Sequence, residues 1–366
     1  MTPLRIALIA EDYYPQLGGV PEHVHHMARE LEALGHQATI VTSHMRMHGH
    51  VDPPYVRRVG TSLVIYANGG VARVTVGWRL TTQLERMFRS ERFDVVHVHG
   101  GLAPTFGWVA PVAAFRAGIP VVATFHTWFP DSLGYRILRA PLQRMLDRHA
   151  ATIAVSTAAR DAMARYFAAP WEIIPNGVDT TFFRPALQRR GDVQPSLLWL
   201  GRIEPRNDLT TVLAAMPRIL ARHPRARLTV VGDGPWRSRM ERAAKHLGPS
   251  VHFAGYANGD RPAYYRGADI YLCPTKRASF GVTLLEAMAC GTPLIVSDIQ
   301  AFRDVAGHAV FAPPGDAAAW GQAVNSLLED RQRREAMTTE GRRVAERHAW
   351  PLVAQRVLDV YKRVAR

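Results

Sequence analysis

Short apolar segments alternate with longer amphipathic ones along almost the whole chain, and this alternation restricts the fold more than any other feature. In the first half the strand-like segments are 4–10, 38–42, 94–99, 120–125, 152–156 and 171–174, with helix-like segments at 21–34, 103–116, 136–149 and 157–168. In the second half the strands fall at 197–201, 226–231, 250–254, 269–273, 293–297 and 308–311, and the helices at 208–223, 235–246, 282–290 and 316–329. Short, wholly apolar strands separated by helices belong to parallel sheets covered on both faces. Two such series in 366 residues predict an α/β protein with two Rossmann-like domains. The stretch Arg184 to Ser196 is polar and carries Pro185 and Pro195, which marks a linker. The expected organisation is a first domain over 1–184, a second over 185–347, and a last helix within 348–366 that returns to the first. Ligands of open α/β sheets bind beyond the carboxyl ends of the strands, so the two domains are expected to face each other across a shared cleft.

Charge narrows the partners. The net charge is +14, and Lys245, Lys276 and Lys362 are the only lysines, so the excess is arginine. A basic surface is drawn to anionic lipid, nucleic acid or phosphorylated substrates. No nucleic-acid recognition motif and no interleaving of aromatic and basic residues is present, which argues against nucleic acid. Tyr135 to His149 places Ile137, Leu138, Pro141, Leu142, Met145 and Leu146 on one helical face, with Arg136, Arg144 and Arg148 off it. Arg79 to Arg92 is a second basic stretch. Each reads as a core-packing helix with a solvated basic side, and the two together make an anionic membrane surface a candidate partner. The apolar window Phe106 to Phe125 is interrupted by Pro111, Arg116, Gly118 and Pro120 and reads as helix, turn and strand rather than a membrane span. The N-terminal segment enters a strand directly and reads as having no signal peptide, and Cys273 and Cys290 read as buried thiols of a reducing compartment. The expected location is cytoplasmic, with a peripheral association at the inner face of the plasma membrane.

The strand-end loops carry the chemistry. In Cys273 to Pro293 a strand leads into Ala278-Ser279-Phe280-Gly281 and then a helix. Such a loop aims backbone N–H groups at an anion, and the helix adds its positive end. Glu286 follows close behind, and a phosphate cradle beside a carboxylate points to a nucleotide-bearing ligand. Gly18-Gly19 opens the helix after the first strand and lets a phosphate approach the backbone. Gly201-Arg202, with Arg206 and Asn207 behind it, ends another strand, and arginine offers a fixed fork of donors suited to a diphosphate. Gly232-Asp233-Gly234 either shapes a wall for a base or only turns the chain. His97 and His99 share one face of a strand, and His97 reads as a satisfied structural residue. His126 ends a strand toward the expected cleft and reads as functional. The His23, His25, His26 group reads as solvated or packing. A metal site is disfavoured, because no acidic or cysteine partner stands at ligand spacing.

Taken in order, Gly18-Gly19, Ile174 to Asp179, Gly201-Arg202, Gly232 to Pro235 and Ser279 to Pro293 resemble the GT4 family of retaining glycosyltransferases. Within it, Gly18-Gly19 and Ala123 to Thr127 are similar to bacterial phosphatidylinositol mannosyltransferases. The resemblance implies the GT-B fold and a metal-independent transfer, with retention, of a hexose from a nucleotide sugar to a lipid-linked or saccharide acceptor, with mannose from GDP-mannose as a candidate. It implies no cofactor. It also implies that Arg202 binds the donor diphosphate, that Gly19 and the Ser279, Phe280 and Gly281 backbone cradle phosphate or sugar hydroxyls, that Glu286 receives the ribose hydroxyls, and that His126 lies beside the transferred sugar. Two positions depart from the pattern: Ala278 replaces a carboxylate that contacts the sugar, and Asn207 replaces a lysine. Arg206 and Lys276 are candidates to restore that charge. These departures keep open a catalytically reduced relative that binds sugar nucleotides or membranes. A nucleotide-sugar epimerase is a further alternative, disfavoured by the few carboxylates in the strand-end loops. A cofactor-dependent phosphorylase lacks an evident lysine.

Overall fold

The computed structural model describes residues 2–16, 18–45, 51–67, 70–102, 105–186, 194–257 and 259–365. It divides into two compact units, Met1–Asn176 with Trp350–Arg366, and Gly177–Ala349. The first unit therefore ends ahead of the 184/185 break read from the sequence, and its returning segment starts at Trp350 rather than 348. Val178 explains the placement: its N–H donates to the His348 carbonyl at 2.9 Å, so the two crossing segments run side by side.

The first unit contains β1 (Arg5–Ala10), α1 (Gly19–Ala33), β2 (Gln37–His44), β3 (Val56–Ala67), β4 (Gly70–Val76), α2 (Leu80–Glu91), β5 (Val95–His99), α3 (Phe106–Ala117), β6 (Val121–Phe125), α4 (Leu133–Ile137), α5 (Arg139–Leu146), β7 (Ala151–Ala154), α6 (Thr157–Ala164) and β8 (Trp171–Ile173). The second contains β9 (Ser196–Leu200), α7 (Leu209–Arg222), β10 (Arg227–Val231), α8 (Arg237–Ala244), β11 (Val251–Gly255), α9 (Arg261–Arg266), β12 (Ile270–Cys273), α10 (Val282–Ala289), β13 (Leu294–Ser297), α11 (Gln300–Val305), β14 (Val310–Ala312), α12 (Ala317–Glu329) and α13 (Arg331–Arg347). The chain then returns to the first unit with α14 (Trp350–Val364).

The first sheet has the order β4-β3-β2-β1-β5-β6-β7-β8 and the second β11-β10-β9-β12-β13-β14. All pairs are parallel except β3 with β4. The second order is that of the doubly wound dinucleotide fold, and it reverses between β9 and β12. The first sheet reverses between β1 and β5. Every residue of β1 from Ile6 to Ala10 is buried, because both faces of the sheet are covered. On one face Ile6 and Leu8 pack with Val24 and Met27 of α1 and with Val353, Val357 and Tyr361 of α14. On the other face Ala7 and Ile9 pack with Leu84, Phe88 and Phe106.

The sequence reading differs from the structure at several elements. It passes over the β3–β4 hairpin, where Arg57, Arg58 and Gly60 break the apolar pattern, and the short helices α9 and α11. It also passes over α13, whose charged sequence shows little apolar periodicity. The helix expected over 136–149 is two, broken at Leu138, whose backbone leaves helical geometry at φ −93° and ψ 17°. The break splits the expected apolar face: Leu142 and Leu146 enter the core, whereas Ile137 is 70 % exposed. Arg79 to Arg92 is largely α2, which buries Leu80, Leu84 and Phe88 and leaves Arg86 and Arg89 outside.

Candidate active site

In the second unit the loops after β9 and β12 flank the point where the strand order reverses, which is where such sheets bind ligands. Backbone hydrogen bonds fix the neighbouring loops after β9 and β10. Gly201 N–H donates to Val231 O at 3.0 Å, Ile203 N–H to Asp233 O at 2.9 Å, and Trp236 N–H to Ile203 O at 3.1 Å. This lacing leaves no room at Gly232, where a Cβ would stand 2.0 Å from the Gly201 carbonyl oxygen and where φ is +128°. Gly232 thus has a structural reason for being glycine, the close crossing of two loops, whatever wall it also offers a ligand.

Glu204 organises the cations. Its carboxylate lies 3.5 Å from Arg202 Nε and 2.5 Å from Arg206 Nε, and both guanidiniums remain half or more exposed. Asn207 serves the loop itself: its side-chain amide donates to the Arg202 carbonyl at 2.8 Å, and its side-chain oxygen accepts from Thr275 at 3.5 Å. The loop after β12 brings a further cation. Lys276 N–H donates to Arg206 O at 2.9 Å, and its ammonium lies 3.1 Å from the buried Asp208 carboxylate. Loops that are distant in sequence thus place Arg202, Arg206 and Lys276 in one neighbourhood.

The loop before α10 keeps the expected form. Gly281 precedes the helix with φ +126° and caps it with no side-chain bond. The Phe280 ring is buried, so only its backbone can meet a ligand. Ser279 and Ala278 are partly exposed. Glu286 is 2 % exposed. One of its oxygens accepts from Tyr265 OH at 2.8 Å, and the other lies 3.0 Å from Arg261 Nη1. The carboxylate therefore ties α9 to α10, and any hydroxyl it receives must share oxygens already in use. Burial raises both Cys273 and Cys290 thiols, the latter to about 12, so neither is a nucleophile at neutral pH.

In the first unit the corresponding region lies beyond β1, β5 and β6. Gly18 stands before α1 and Gly19 is its first residue, with no side-chain cap. A Cβ at Gly19 would meet nothing within 4 Å, so the fold does not require glycine there. His126, just past β6, is half-buried, and its Nε2 lies 3.2 Å from His99 Nδ1. His97 is satisfied on both nitrogens, by Tyr361 OH of α14 at 2.5 Å and by Thr124 at 2.7 Å, as its structural reading requires. Of the α1 histidines, His25 bonds Tyr13 OH at 2.9 Å and the His26 ring stacks on Trp350 at 5.2 Å. His23 is different, because it reaches His126 with ring centroids 4.8 Å apart. Burial and the neighbouring imidazoles hold His99 and His126 well below the ordinary histidine range, and burial, opposed by the Asn176 hydrogen bond and helped by His26, takes His23 down to about 4. All three are neutral at physiological pH.

Sequence reasoning missed His23 and His99 as companions of His126. The signal was present in His-Val-His-His and in the His97–His99 alternation, but only the fold brings α1 beside the ends of β5 and β6. Glu11 was passed over too. It follows β1, half-buried, with its carboxylate accepting from the Phe106 N–H at 2.7 Å and from Thr75 and Thr105, and burial raises its pKa.

Comparison with known proteins agrees with this architecture. Residues 17–182 match the family described as Glycosyltransferase Family 4, and residues 183–344 match Glycosyl transferases group 1. The chain is 32 % identical to the phosphatidyl-myo-inositol mannosyltransferase of Propionibacterium freudenreichii, over 98 % of this chain and 94 % of that one. It is also 32 % identical to that of Mycobacterium tuberculosis, over 99 % and 97 %. Among solved structures, Anabaena HepE in complex with UDP aligns with a TM-score of 0.78 at 15 % identity, covering 98 % and 100 % of the two chains. Sucrose-phosphate synthase from Thermosynechococcus elongatus aligns with a TM-score of 0.76 at 21 % identity, covering 98 % of each. With two Rossmann-like units and full-length similarity to mannosyltransferases, the chain belongs to glycosyltransferase family 4, of the GT-B fold.

Proposed function

We propose that this protein transfers mannose from GDP-mannose to a phosphatidylinositol-type lipid, with retention at the anomeric carbon and without a catalytic metal. The observation that carries the reading is the 32 % identity to phosphatidyl-myo-inositol mannosyltransferases along essentially the whole chain. In this reading Arg202, aided by Arg206 and Lys276, binds the donor diphosphate. Preorganised guanidinium and backbone N–H groups stabilise the charge that develops on the leaving group. The Ser279 to Gly281 backbone and Gly19 contact phosphate or sugar, Glu286 receives the ribose, and His126 contacts the transferred sugar. At the strand ends the Glu11 carboxylate is taken up by the Phe106 N–H, Thr75 and Thr105, and Glu204 by Arg202 and Arg206, which favours a front-face path over a carboxylate nucleophile. There the leaving phosphate oxygen takes the acceptor's proton, and positioning supplies much of the rate.

A lipid acceptor requires access to a membrane. Among the described residues no helix is long and apolar enough to cross one. The segment through α4 and α5 exposes Leu133, Ile137 and Leu138 beside exposed Arg136 and Arg139, and Trp78 is 84 % exposed just before α2. Apolar side chains among arginines suit the interface of an anionic leaflet.

The test presents GDP-, UDP- and ADP-sugars to the protein with vesicles of phosphatidylinositol or phosphatidylcholine. The expected product is a mannosyl lipid formed only from GDP-mannose and phosphatidylinositol, its anomeric configuration that of the donor by NMR, at a rate unchanged by a chelator. Arg202→Ala lowers turnover by about a hundredfold or more while the fold is kept. Nucleotide binding without turnover on any acceptor would instead support the reduced, binding-only relative to which Ala278 points. Co-sedimentation with anionic vesicles should weaken at high salt.

A further inference from the structure

Asp208 closes the loop after β9 and stands at the entry of α7, with only 4 % of its surface exposed. An aspartate at this position of a helix ordinarily accepts from the backbone N–H groups of the first turn. Asp208 makes no such bond. Its Oδ2 instead accepts from the Thr211 hydroxyl at 2.6 Å and lies 3.1 Å from Lys276 Nζ, in the loop after β12. Its backbone is left-handed, at φ +47° and ψ +43°, a conformation that aspartate and asparagine tolerate better than most side chains. A buried carboxylate is costly unless it is paired and hydrogen-bonded, so Lys276 is part of what lets Asp208 stand there.

The pairing also acts on Lys276, whose side chain is 46 % exposed. Lysine has a flexible stem, and ordering such a side chain on binding costs affinity. Here much of the ordering is done in advance. The Lys276 N–H donates to the Arg206 carbonyl at 2.9 Å, and a Cβ on Gly315, in the turn after β14, would lie 3.9 Å from Lys276 Cε. An ammonium carries three N–H groups, so one given to Asp208 leaves two for a ligand. The positive end of α7 opposes a bare cation at its entry, and the Asp208 carboxylate offsets that opposition. Glu204 stands in the same relation to Arg202 and Arg206, at 3.5 and 2.5 Å.

We propose that Asp208 is a positioning residue of the donor site, which holds the Lys276 ammonium at the entry of α7 with its remaining N–H groups left for the diphosphate of the sugar nucleotide. The inference rests on the donor-site reading given under the proposed function, and it adds Asp208 to that site through Lys276. Loss of this cation should weigh most on the ligand with more phosphate charge.

The test measures binding to the full-length chain by calorimetry, with whichever of GDP, UDP and ADP binds and with the matching monophosphate. Lys276→Met should weaken the diphosphate by at least about tenfold and the monophosphate by less than about threefold. Asp208→Asn keeps the side-chain shape and a residue suited to the left-handed backbone, and should weaken the diphosphate by about three- to tenfold. In the Lys276→Met background the same change should add less than about twofold, because a residue that acts through Lys276 then has nothing to position. A merely structural Asp208 would lower the melting temperature and leave the ratio of the two affinities unchanged. That result, or losses that multiply independently in the double variant, would overturn the proposal. Arg202→Ala separates the inference from the reading beneath it. Diphosphate affinity lost in Arg202→Ala but kept in Lys276→Met would overturn the inference alone. Failure of all the nucleotides to bind the wild type, or full affinity in Arg202→Ala, would overturn both.

Discussion

The two units share a doubly wound topology but hold their strand-end loops in opposite ways. In the second unit the loops after β9 and β10 are laced by backbone hydrogen bonds, and Gly232 has no space for a methyl group. Its charges are paired, Glu286 with Arg261 and Asp208 with Lys276. In the first unit Gly19 faces open space, and buried atoms without a partner among the described residues include His23 Nε2, His99 Nε2 and Asp12 Oδ1. Glycines that look alike in sequence therefore answer to different demands. Gly232 is fixed by its own fold, whereas Gly19 is free of that constraint.

Substitutions can break this contrast. The largest effect on stability is expected for Gly232→Ala, which sets a methyl group against the Gly201 carbonyl at a positive φ. It should cost on the order of 3 kcal/mol or more by chemical denaturation, and a loss under about 1 kcal/mol would show that the lacing yields easily. Next comes Arg261→Met, which strips the ion-pair partner from a carboxylate 2 % exposed. A loss of about 3 kcal/mol is expected, with exchange of α9 and α10 amides accelerated before those of α14. Glu286→Gln separates structure from binding at the same position: a raised KM for the donor with melting temperature kept would favour the ribose contact, and the reverse would favour the tie alone. Gly19→Ala should change stability by no more than about 1 kcal/mol, in either direction, yet lower turnover by tenfold or more. Unchanged turnover would remove Gly19 from the site. Ala278→Glu, on a partly exposed loop, should move stability least, within about 0.5 kcal/mol. Its turnover is the informative quantity: a rise marks a degraded sugar contact, and a fall marks a pocket shaped around alanine.

Much of the scaffold was legible because buried parallel strands have a plain signature. All six strands expected in each half have counterparts in the structure, from Arg5–Ala10 to Val310–Ala312. The elements passed over lack that signature. The β3–β4 hairpin pairs antiparallel at a sheet edge and carries arginines, and α13 is charged on most of its surface. Within the candidate site, Arg202 and the Gly281 entry to α10 could be read from strand–loop–helix order. The partners of Asn207 and Glu286 could not, because Thr275 comes from a separate loop and Tyr265 from a separate helix.

By itself the sequence determined the two-domain α/β class and the loops where chemistry is expected, because hydrophobic periodicity and glycine placement act over a few residues. Tertiary structure alone decided which side chains share a volume. It set Lys276 beside Asp208 in the loop that lacks the family lysine, and it turned Glu286 toward Arg261. It also gathered His23, His99 and His126 from three elements into one cluster. Distances between such groups depend on strand order and helix packing, which no local pattern in the chain records.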